Sequence, residues 1–427
     1  MFSRKLAALT AIPILSVGLY IHFFGLNIPF WDQWNFVSYL MLAWQGQLTP
    51  VSLLAQVNEH RPFFPRLVWL GLAFLTDYNV KAELWMNLAI AVGVFIFFIR
   101  RAIRTWGESG RTPPAILIPL LSLLIFNLGH RESWLQGFQT IMFLCMACVV
   151  IGFFLLADRT LLSFVVAIAL GIVANFSMVT GVLFWFLGLF ILILNEDQQA
   201  RIVKALVWIA VSGVSLWTFF SGWTSSSQIN LPYLFTHPIE WMLWIFNFLG
   251  APIFAFWYIA WVFGALSLFL YGAVIFQTYK NGQWKAVLPY FAISVFILAT
   301  TLSISLGRME FGLRQSTVSR YLTMSAWYWA SLLVLLPFVQ FKRLRIDLVY
   351  LLLTAMLTLL SFSGGWVGYV RLYQRILPAY RSVVSNQPIS DEDLAQIHFD
   401  PVIAGPQIEF LHENGLSAWG QQEVRAK

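Results

Sequence analysis

Long apolar runs alternate with short polar segments along nearly the whole chain, and each run is 16–23 residues long. A helix needs about 20 apolar residues to cross a bilayer. We therefore expect spans near residues 6–26, 82–100, 114–129, 135–157, 161–176, 178–195, 202–221, 286–306, 321–340 and 346–366. Residues 240–279 add one crossing, broken near Pro252. The pattern predicts an all-α, polytopic helical membrane protein with about eleven transmembrane helices, within a range of roughly 10–13.

Composition supports this fold class. Hydrophobic residues make up 59% of the chain and charged residues 11%, whereas soluble domains carry about 25% charged residues. The first apolar run follows Arg4 and Lys5 and resembles the start of a signal peptide. Because it lacks a small-x-small cleavage site and is long, we interpret it as an uncleaved first span with a cytoplasmic N-terminus.

The charge and cysteine patterns argue against nucleic-acid binding and against redox or metal chemistry at the cysteines. The net charge is +7, but the basic residues form short clusters between spans, which indicates topology and contact with anionic headgroups rather than nucleic-acid binding. Cys145 and Cys148 form a C-x-x-C pattern inside an apolar run. A thiolate there would be desolvated, so we interpret them as small core residues rather than as a redox or metal pair.

Basic clusters mark the cytoplasmic ends of the spans. The clusters are Arg100 to Arg104, Arg201 with Lys204, Lys280 with Lys285, and Lys342, Arg343 and Arg345. Placing them inside assigns the outer face to residues 27–80, 129–134, 222–239, 307–320 and the chain after 367.

The end of the chain changes character. We expect a transmembrane domain over residues 1–370 and a small polar extracytoplasmic tail over residues 371–427, in which Ser390 is a helix N-cap. A helical appendage of about fifty residues is marginal alone, so we expect it to dock on the membrane domain.

The first outer loop, residues 27–80, contains a predicted amphipathic helix over residues 33–48. Its apolar face predicts an interfacial helix in the headgroup layer, anchored by Trp31, Trp34 and Trp44. Asp32 lies at the start of this helix. Two interpretations are open: an N-cap, or a partly desolvated carboxylate at the rim of a cavity that acts as a base.

The same loop continues with "NEHRPFFPRL", which places Glu59, His60, Arg61 and Arg66 within eight residues. Glu59 and Arg61 form either an exposed ion pair of little energetic worth or part of a site. Arginine is disfavoured on the outer side, and a guanidinium binds phosphate oxygens through two parallel hydrogen bonds. We therefore favour phosphate binding.

Two further outer segments carry candidate groups. In "HRESWLQGFQ", Arg131 precedes Glu132, Gln136 and Gln139, whose spacing predicts a polar stripe on one helix, serving either helix–helix hydrogen bonding or a site. In "GRMEFGLRQSTVSRY", the outer topology makes Arg308, Arg314 and Arg320 phosphate-binding candidates. If the topology were inverted, this would be an ordinary cytoplasmic loop.

Taken together, "WDQW", "NEHRPFFPRL", "RESWLQGFQTIMFL", "ANFSMVTGVLFWFLGL" and "GRMEFGLRQSTVSRYLT" resemble a set of bacterial membrane proteins similar in layout to GT-C glycosyltransferases. That resemblance implies a multi-pass protein of the bacterial inner membrane that takes sugars from a polyprenyl-phosphate carrier. It implies Asp32 as the catalytic acidic residue, with Glu59 as a second carboxylate. Many such enzymes carry an adjacent acidic pair, whereas Gln33 follows Asp32 here.

The resemblance also implies that outer-loop arginines hold the carrier phosphate, which would suit Arg61, Arg314 or Arg320. The full set of substrate-binding candidates is His60, Arg61, Arg66, Arg131, Glu132, Gln136, Gln139, Arg308, Arg314, Arg320 and Tyr321. The acceptor would be a glycan, a lipid or a protein. We expect no metal ligand set and no cofactor, although a divalent cation bridging Asp32, Glu59 and phosphate would also fit. The rival functions are a transporter or flippase of a lipid-linked glycan, and a non-catalytic accessory subunit.

Overall fold

The computed structural model describes residues 4–195, 197–225, 231–339, 346–398 and 400–420. Within these ranges the chain is helical and contains no β-strand, as the apolar pattern predicts. The predicted basic cluster of Lys342, Arg343 and Arg345 lies outside the described residues, as do residues 421–427 of the tail.

In the part of the chain that the structure describes, eight helical segments are long and apolar enough to cross a membrane. They are Arg4–Phe24, Val80–Glu108, Gly137–Ala157, Gln198–Phe220, Trp257–Lys280, Trp284–Phe311, Ser319–Phe338 and Leu348–Val384. Three shorter apolar helical segments accompany them: Phe63–Thr76, Leu161–Asn175 and Val179–Asn195. The chain is therefore a polytopic helical membrane protein by length and composition, and the count of about eleven crossings stays a prediction.

The run at 114–129 forms a much shorter helix than predicted, Leu117–Ile125. Two residues after this helix ends, the Asn127 side chain accepts from the Gly129 backbone N–H (2.8 Å) and donates to the Leu357 carbonyl (2.9 Å). These bonds support a separate turn at Leu128–His130. Since Leu117–Ile125 is almost wholly buried by its neighbours, protein rather than lipid surrounds it.

Segments predicted on the cytoplasmic side meet at one end of the molecule, here called the far end. Arg101 forms a bidentate ion pair with Asp158, and Lys204 donates to the Arg159 carbonyl at 2.8 Å. The helix that contains Arg101 continues to Glu108, eight residues past the predicted end of that span.

Segments predicted on the outer side meet at the opposite end, here called the loop end. Trp223 donates from its indole to the Glu59 carbonyl at 3.1 Å, and the Val179 N–H donates to Nδ1 of His60 at 3.2 Å. The predicted grouping of the loops is therefore present. Which end faces the cytoplasm stays a prediction.

The crossing at 240–279 is broken where it was expected. Helix Pro238–Gly250 ends just before Pro252, and helix Trp257–Lys280 follows. The two helices touch through small residues, since a Cβ built on Gly250 would lie 1.8 Å from the carbonyl oxygen of Ala260. Glycine permits this close backbone approach.

The predicted polar stripe of Glu132, Gln136 and Gln139 does not lie on one helix. Helix Arg131–Leu135 ends at Gln136, which is extended, and a short turn at Gly137–Gln139 precedes helix Thr140–Ala157. Gly137 packs tightly at this break, where a Cβ would lie 1.8 Å from Oε2 of Glu83. Helical spacing predicts a stripe only where the helix is continuous.

The first-loop helix is Gln33–Trp44, and its predicted apolar face is buried at Val37 and Leu40. Trp31 and Trp44 are exposed, as anchors would be, but Trp34 is fully buried. The expectation of Trp34 as a headgroup anchor is therefore wrong, because its ring packs against tail residues.

The last long helical segment runs through the predicted boundary at 371. Helix Ile346–Gly368 continues through a π-helical turn, Tyr369–Tyr373, into helix Gln374–Val384. Two tail helices follow, Asp391–Ile397 and Pro401–Glu413. As expected, Ser390 caps the first through a bond from the Asp393 N–H (3.2 Å), and the tail docks on the membrane domain.

Candidate functional site

A cavity of about 390 Å³ lies at the loop end. The polar residues that line it are Asp32, Asn58, Glu59, His60, Gln139, Thr180, Trp223, Ser225, Arg308, Arg320 and Tyr321. Its apolar lining includes Phe138, Ile141, Met142, Met178, Ile304, Leu306 and Met324. A cavity lined both by charged groups and by methionine and aliphatic side chains suits an amphiphilic ligand.

Asp32 faces this cavity instead of capping its helix. Its backbone is already helical (φ −57°, ψ −16°), and its side chain accepts no hydrogen bond from the first turn of helix Gln33–Trp44, all of which is described. Burial raises the pKa of the Asp32 carboxyl, whereas Arg320, a hydrogen bond from the Asn58 side chain, and Arg308 act in the opposite direction. A carboxylate that is both partly desolvated and charge-stabilised can accept a proton from a bound ligand.

The second carboxylate, Glu59, is presented by a tight turn. Val57 and His60 exchange two backbone hydrogen bonds of 2.9 Å, with Asn58 and Glu59 at the tip. Asn58 has a positive φ of 50°, which asparagine adopts more readily than most residues. The turn therefore presents three consecutive polar side chains, residues 58–60, to the cavity.

His60 is a neutral acceptor in this arrangement. Its Nδ1 receives the Val179 N–H at 3.2 Å. Burial lowers the pKa of His60 to about 4; Glu59 opposes this shift and Arg308 adds to it. The imidazole is therefore uncharged at neutral pH and helps to fix the turn against residues 178–180.

Two arginines supply positive charge. Nη1 of Arg320 lies 3.5 Å from Oε2 of Glu132, and its guanidinium stands 5.5 Å from the ring centre of Tyr321. Arg308 lies over the ring of Phe311 at 5.8 Å. Arg320 is thus held by an acidic partner at the cavity edge, while Arg308 comes from the end of a neighbouring long helix.

Seven of the residues predicted from the sequence line the cavity: Asp32, Glu59, His60, Gln139, Arg308, Arg320 and Tyr321. Arg61 and Arg66 lie outside it, bound to backbone carbonyls. Arg61 donates to Ser221 (2.6 Å) and Arg66 to Leu53 (2.6 Å), and Arg66 also lies 3.9 Å over the Tyr39 ring.

The other four candidates also lie outside the cavity lining. Glu132 acts through its ion pair with Arg320, and Gln136 accepts a hydrogen bond from Gln139 at 3.2 Å. Arg131 is half-buried beside Tyr20, and Arg314 is exposed at the surface. Of the loop arginines 308, 314 and 320, the first and last therefore join the site.

Several lining residues were not predicted. Asn58 is the first residue of the "NEHRPFFPRL" motif, but only the ionisable residues of that motif were predicted to belong to the site. The three methionines and Trp223 carry no sequence signal, because only the packing of distant segments brings them to one cavity. Glu83 also escaped prediction. It is buried and accepts a hydrogen bond from Gln33, the residue after Asp32.

Among the described residues, no group of three or more His, Cys, Asp or Glu side chains is arranged to hold a metal ion. Comparison with protein-family models found no match, and comparisons with curated proteins and with solved structures found none either. The fold and the site therefore define a polytopic helical membrane protein. Its cavity at the loop end is lined by both charged and apolar side chains.

Proposed function

We propose that the chain is a membrane glycosyltransferase that moves a sugar from a polyprenyl-phosphate carrier to an acceptor hydroxyl. One observation carries the proposal: Asp32 from the first loop shares one cavity with Arg308 and Arg320, and apolar side chains also line that cavity. The carboxylate would act as the base, the two arginines would bind the phosphate, and the apolar side chains would contact the start of the isoprenoid chain.

In the proposed reaction, the acceptor oxygen attacks the anomeric carbon while the bond from that carbon to the phosphate oxygen breaks. Asp32 takes the acceptor proton, and the electron pair of the broken bond stays on the phosphate. Arg308 and Arg320 stabilise the charge that develops there. Attack opposite to the leaving phosphate inverts the anomeric configuration.

The carboxylates have separate tasks in this scheme. Burial raises the pKa of the Asp32 carboxyl, which supports its role as the base. Glu59 is on the turn beside Asn58 and would hydrogen-bond the sugar or the acceptor. The methionine side chains of the lining would contact the first isoprene units of the carrier.

A transfer assay tests the proposal. The purified protein is given a radiolabelled polyprenyl-phosphate sugar and an acceptor extract, and labelled product is counted. Asp32→Asn is expected to lower the transfer rate by about 10²–10⁴-fold, the usual share of a general base. Asp77→Asn is the matched control, because Asp77 is an exposed carboxylate of the same loop in the left-handed conformation, which asparagine tolerates.

Two results would count against this function. Transfer that survives Asp32→Asn would remove the proposed base. Movement of the labelled lipid across a vesicle membrane without any transfer would favour a flippase, which needs the arginines and the apolar lining but no base.

A further inference from the structure

Trp31, the residue directly before Asp32, has an unusual backbone. Its φ is +51°, a region that side chains of this size rarely adopt. Its N–H donates to the carbonyl of Ile397 in the C-terminal tail at 2.7 Å. A strained residue persists only where its surroundings fix it, and here the tail supplies that bond.

The tail also holds the chain on the other side of Asp32. The Gln407 side chain donates from Nε2 to the Trp34 carbonyl (3.1 Å) and to the Ser38 hydroxyl (2.8 Å). Its Oε1 lies 3.0 Å from Nε2 of His398. Gln407 is buried, so these partners are hard to replace by water.

Ring contacts complete this attachment. The buried ring of Trp34 packs against the ring of His398 at 5.0 Å and against Trp419 at 6.5 Å. On the exposed side, the Arg375 guanidinium lies over the Trp31 ring at 5.6 Å. The tail therefore contacts the residues at 31 and 34, which flank Asp32 closely.

We propose that the C-terminal tail is the positioning element for Asp32, with Gln407 as its central positioning residue. The Asp32 carboxylate makes no cap bond within its own helix, so beyond its hydrogen bond with Asn58 its place in the cavity depends on the backbone at 31–34. Ile397 and Gln407 hydrogen-bond that backbone from outside, and Trp419 packs against the Trp34 ring. This positioning role does not depend on which reaction takes place in the cavity.

The test uses a thiol at position 32 as a reporter of its surroundings. Asp32→Cys is made in the full-length chain together with Cys145→Ala and Cys148→Ala, which remove two buried thiols. The rate of reaction with a small methanethiosulfonate reagent is measured against pH in nanodiscs. Burial raises a thiol pKa and slows this reaction.

Adding Gln407→Ala is expected to raise the labelling rate at neutral pH by about tenfold, with a pH profile shifted by about one unit toward that of a free thiol. Glu409→Ala is the matched control, because Glu409 is exposed on the same tail helix, and it should leave both measurements unchanged. Equal rates for Gln407→Ala and Glu409→Ala would overturn the proposal.

A second variant covers the case in which Gln407→Ala fails to fold. Ser38→Ala removes one partner of Gln407 without changing the tail, and it should shift the rate in the same direction by a smaller amount. A folded Ser38→Ala protein with an unchanged rate and pH profile would contradict the positioning role. Because the readout is thiol reactivity, failure of the transfer assay would leave this result intact.

Discussion

Gln33 donates a hydrogen bond from its Nε2 to Oε2 of Glu83 across 2.8 Å, and both side chains are buried. The residue after Asp32 is therefore an amide for a structural reason, because an ionised carboxylate at position 33 has no proton to donate to Glu83. The acid that binds Gln33 comes from the start of helix Val80–Glu108.

This pair predicts the effect of restoring an acidic neighbour to Asp32. Gln33→Glu would bury two carboxylates against each other and is expected to lower the free energy of unfolding by about 3 kcal/mol. Thermal unfolding in detergent measures the change. Gln47→Glu, an exposed site of the same loop, should have little effect.

The exchange variant provides the decisive comparison. Gln33→Glu combined with Glu83→Gln restores one donor and one acceptor, so it should recover most of the lost stability. A double variant no more stable than Gln33→Glu alone would mean that the Gln33–Glu83 bond is not the cause.

Arg308 and Arg314 allow a matched test of phosphate binding. Both belong to the segment between two long helices, but only Arg308 lines the cavity. Losing a charge-assisted hydrogen bond of about 1.5–3 kcal/mol weakens binding by about 10–100-fold. We therefore expect Arg308→Gln to raise the Kd for a short-chain polyprenyl phosphate by that factor, and Arg314→Gln to leave it nearly unchanged. Equal losses in both variants would indicate only general attraction to the headgroup.

His60 predicts a component of acid sensitivity. Its pKa is about 4 in the folded protein and about 6.5 when unfolded. The unfolded chain therefore binds a proton first as the pH falls. The contribution of His60 to the free energy of unfolding is therefore fully present above about pH 6.5. It is lost as the pH falls toward 4, and the loss at pH 5 is at most about 2 kcal/mol.

Melting temperatures at pH 7.5 and pH 5 measure this effect. His60→Gln should reduce the difference between the two temperatures, because glutamine can accept the Val179 N–H without titrating. His22→Gln, at an exposed histidine, should leave the difference unchanged. If the melting temperatures of His60→Gln differ between the two pH values as much as those of the unaltered protein, other groups cause the acid sensitivity.

The sequence predicted the grouping of loops better than it predicted their details. Basic clusters such as Arg100 to Arg104 mark one side of the membrane, and that rule brought Asp32, Glu59 and Arg308 to a common end before any packing was known. Helical spacing failed at Gln136, because its backbone is extended where Gly137 approaches Glu83 closely.

Other parts of the site depend on contacts across hundreds of residues. Gln407 and Trp34 are separated by 373 positions, and no local pattern links a polar tail to a loop tryptophan. The three methionines of the cavity lining likewise come from distant parts of the chain. Arg66 was predicted to bind phosphate but lies outside the cavity. A buried arginine that binds loop carbonyls has the same local sequence signal as an arginine that binds phosphate.

Membrane sidedness decides whether the cavity opens outside the cell. The segment around Phe311 is exposed at the loop end, and the turn at Asn281 and Gly282 is exposed beside Gln283, which Arg111 binds at the far end. Single cysteines at 311 and 281, in the background lacking Cys145 and Cys148, are treated in intact cells with a membrane-impermeant maleimide. We expect labelling at 311 before permeabilisation and at 281 only afterwards, because the basic clusters predict a cytoplasmic far end. The reverse pattern would move Asp32 and the arginines to the cytoplasmic face, where a carrier sugar presented outside could not reach them.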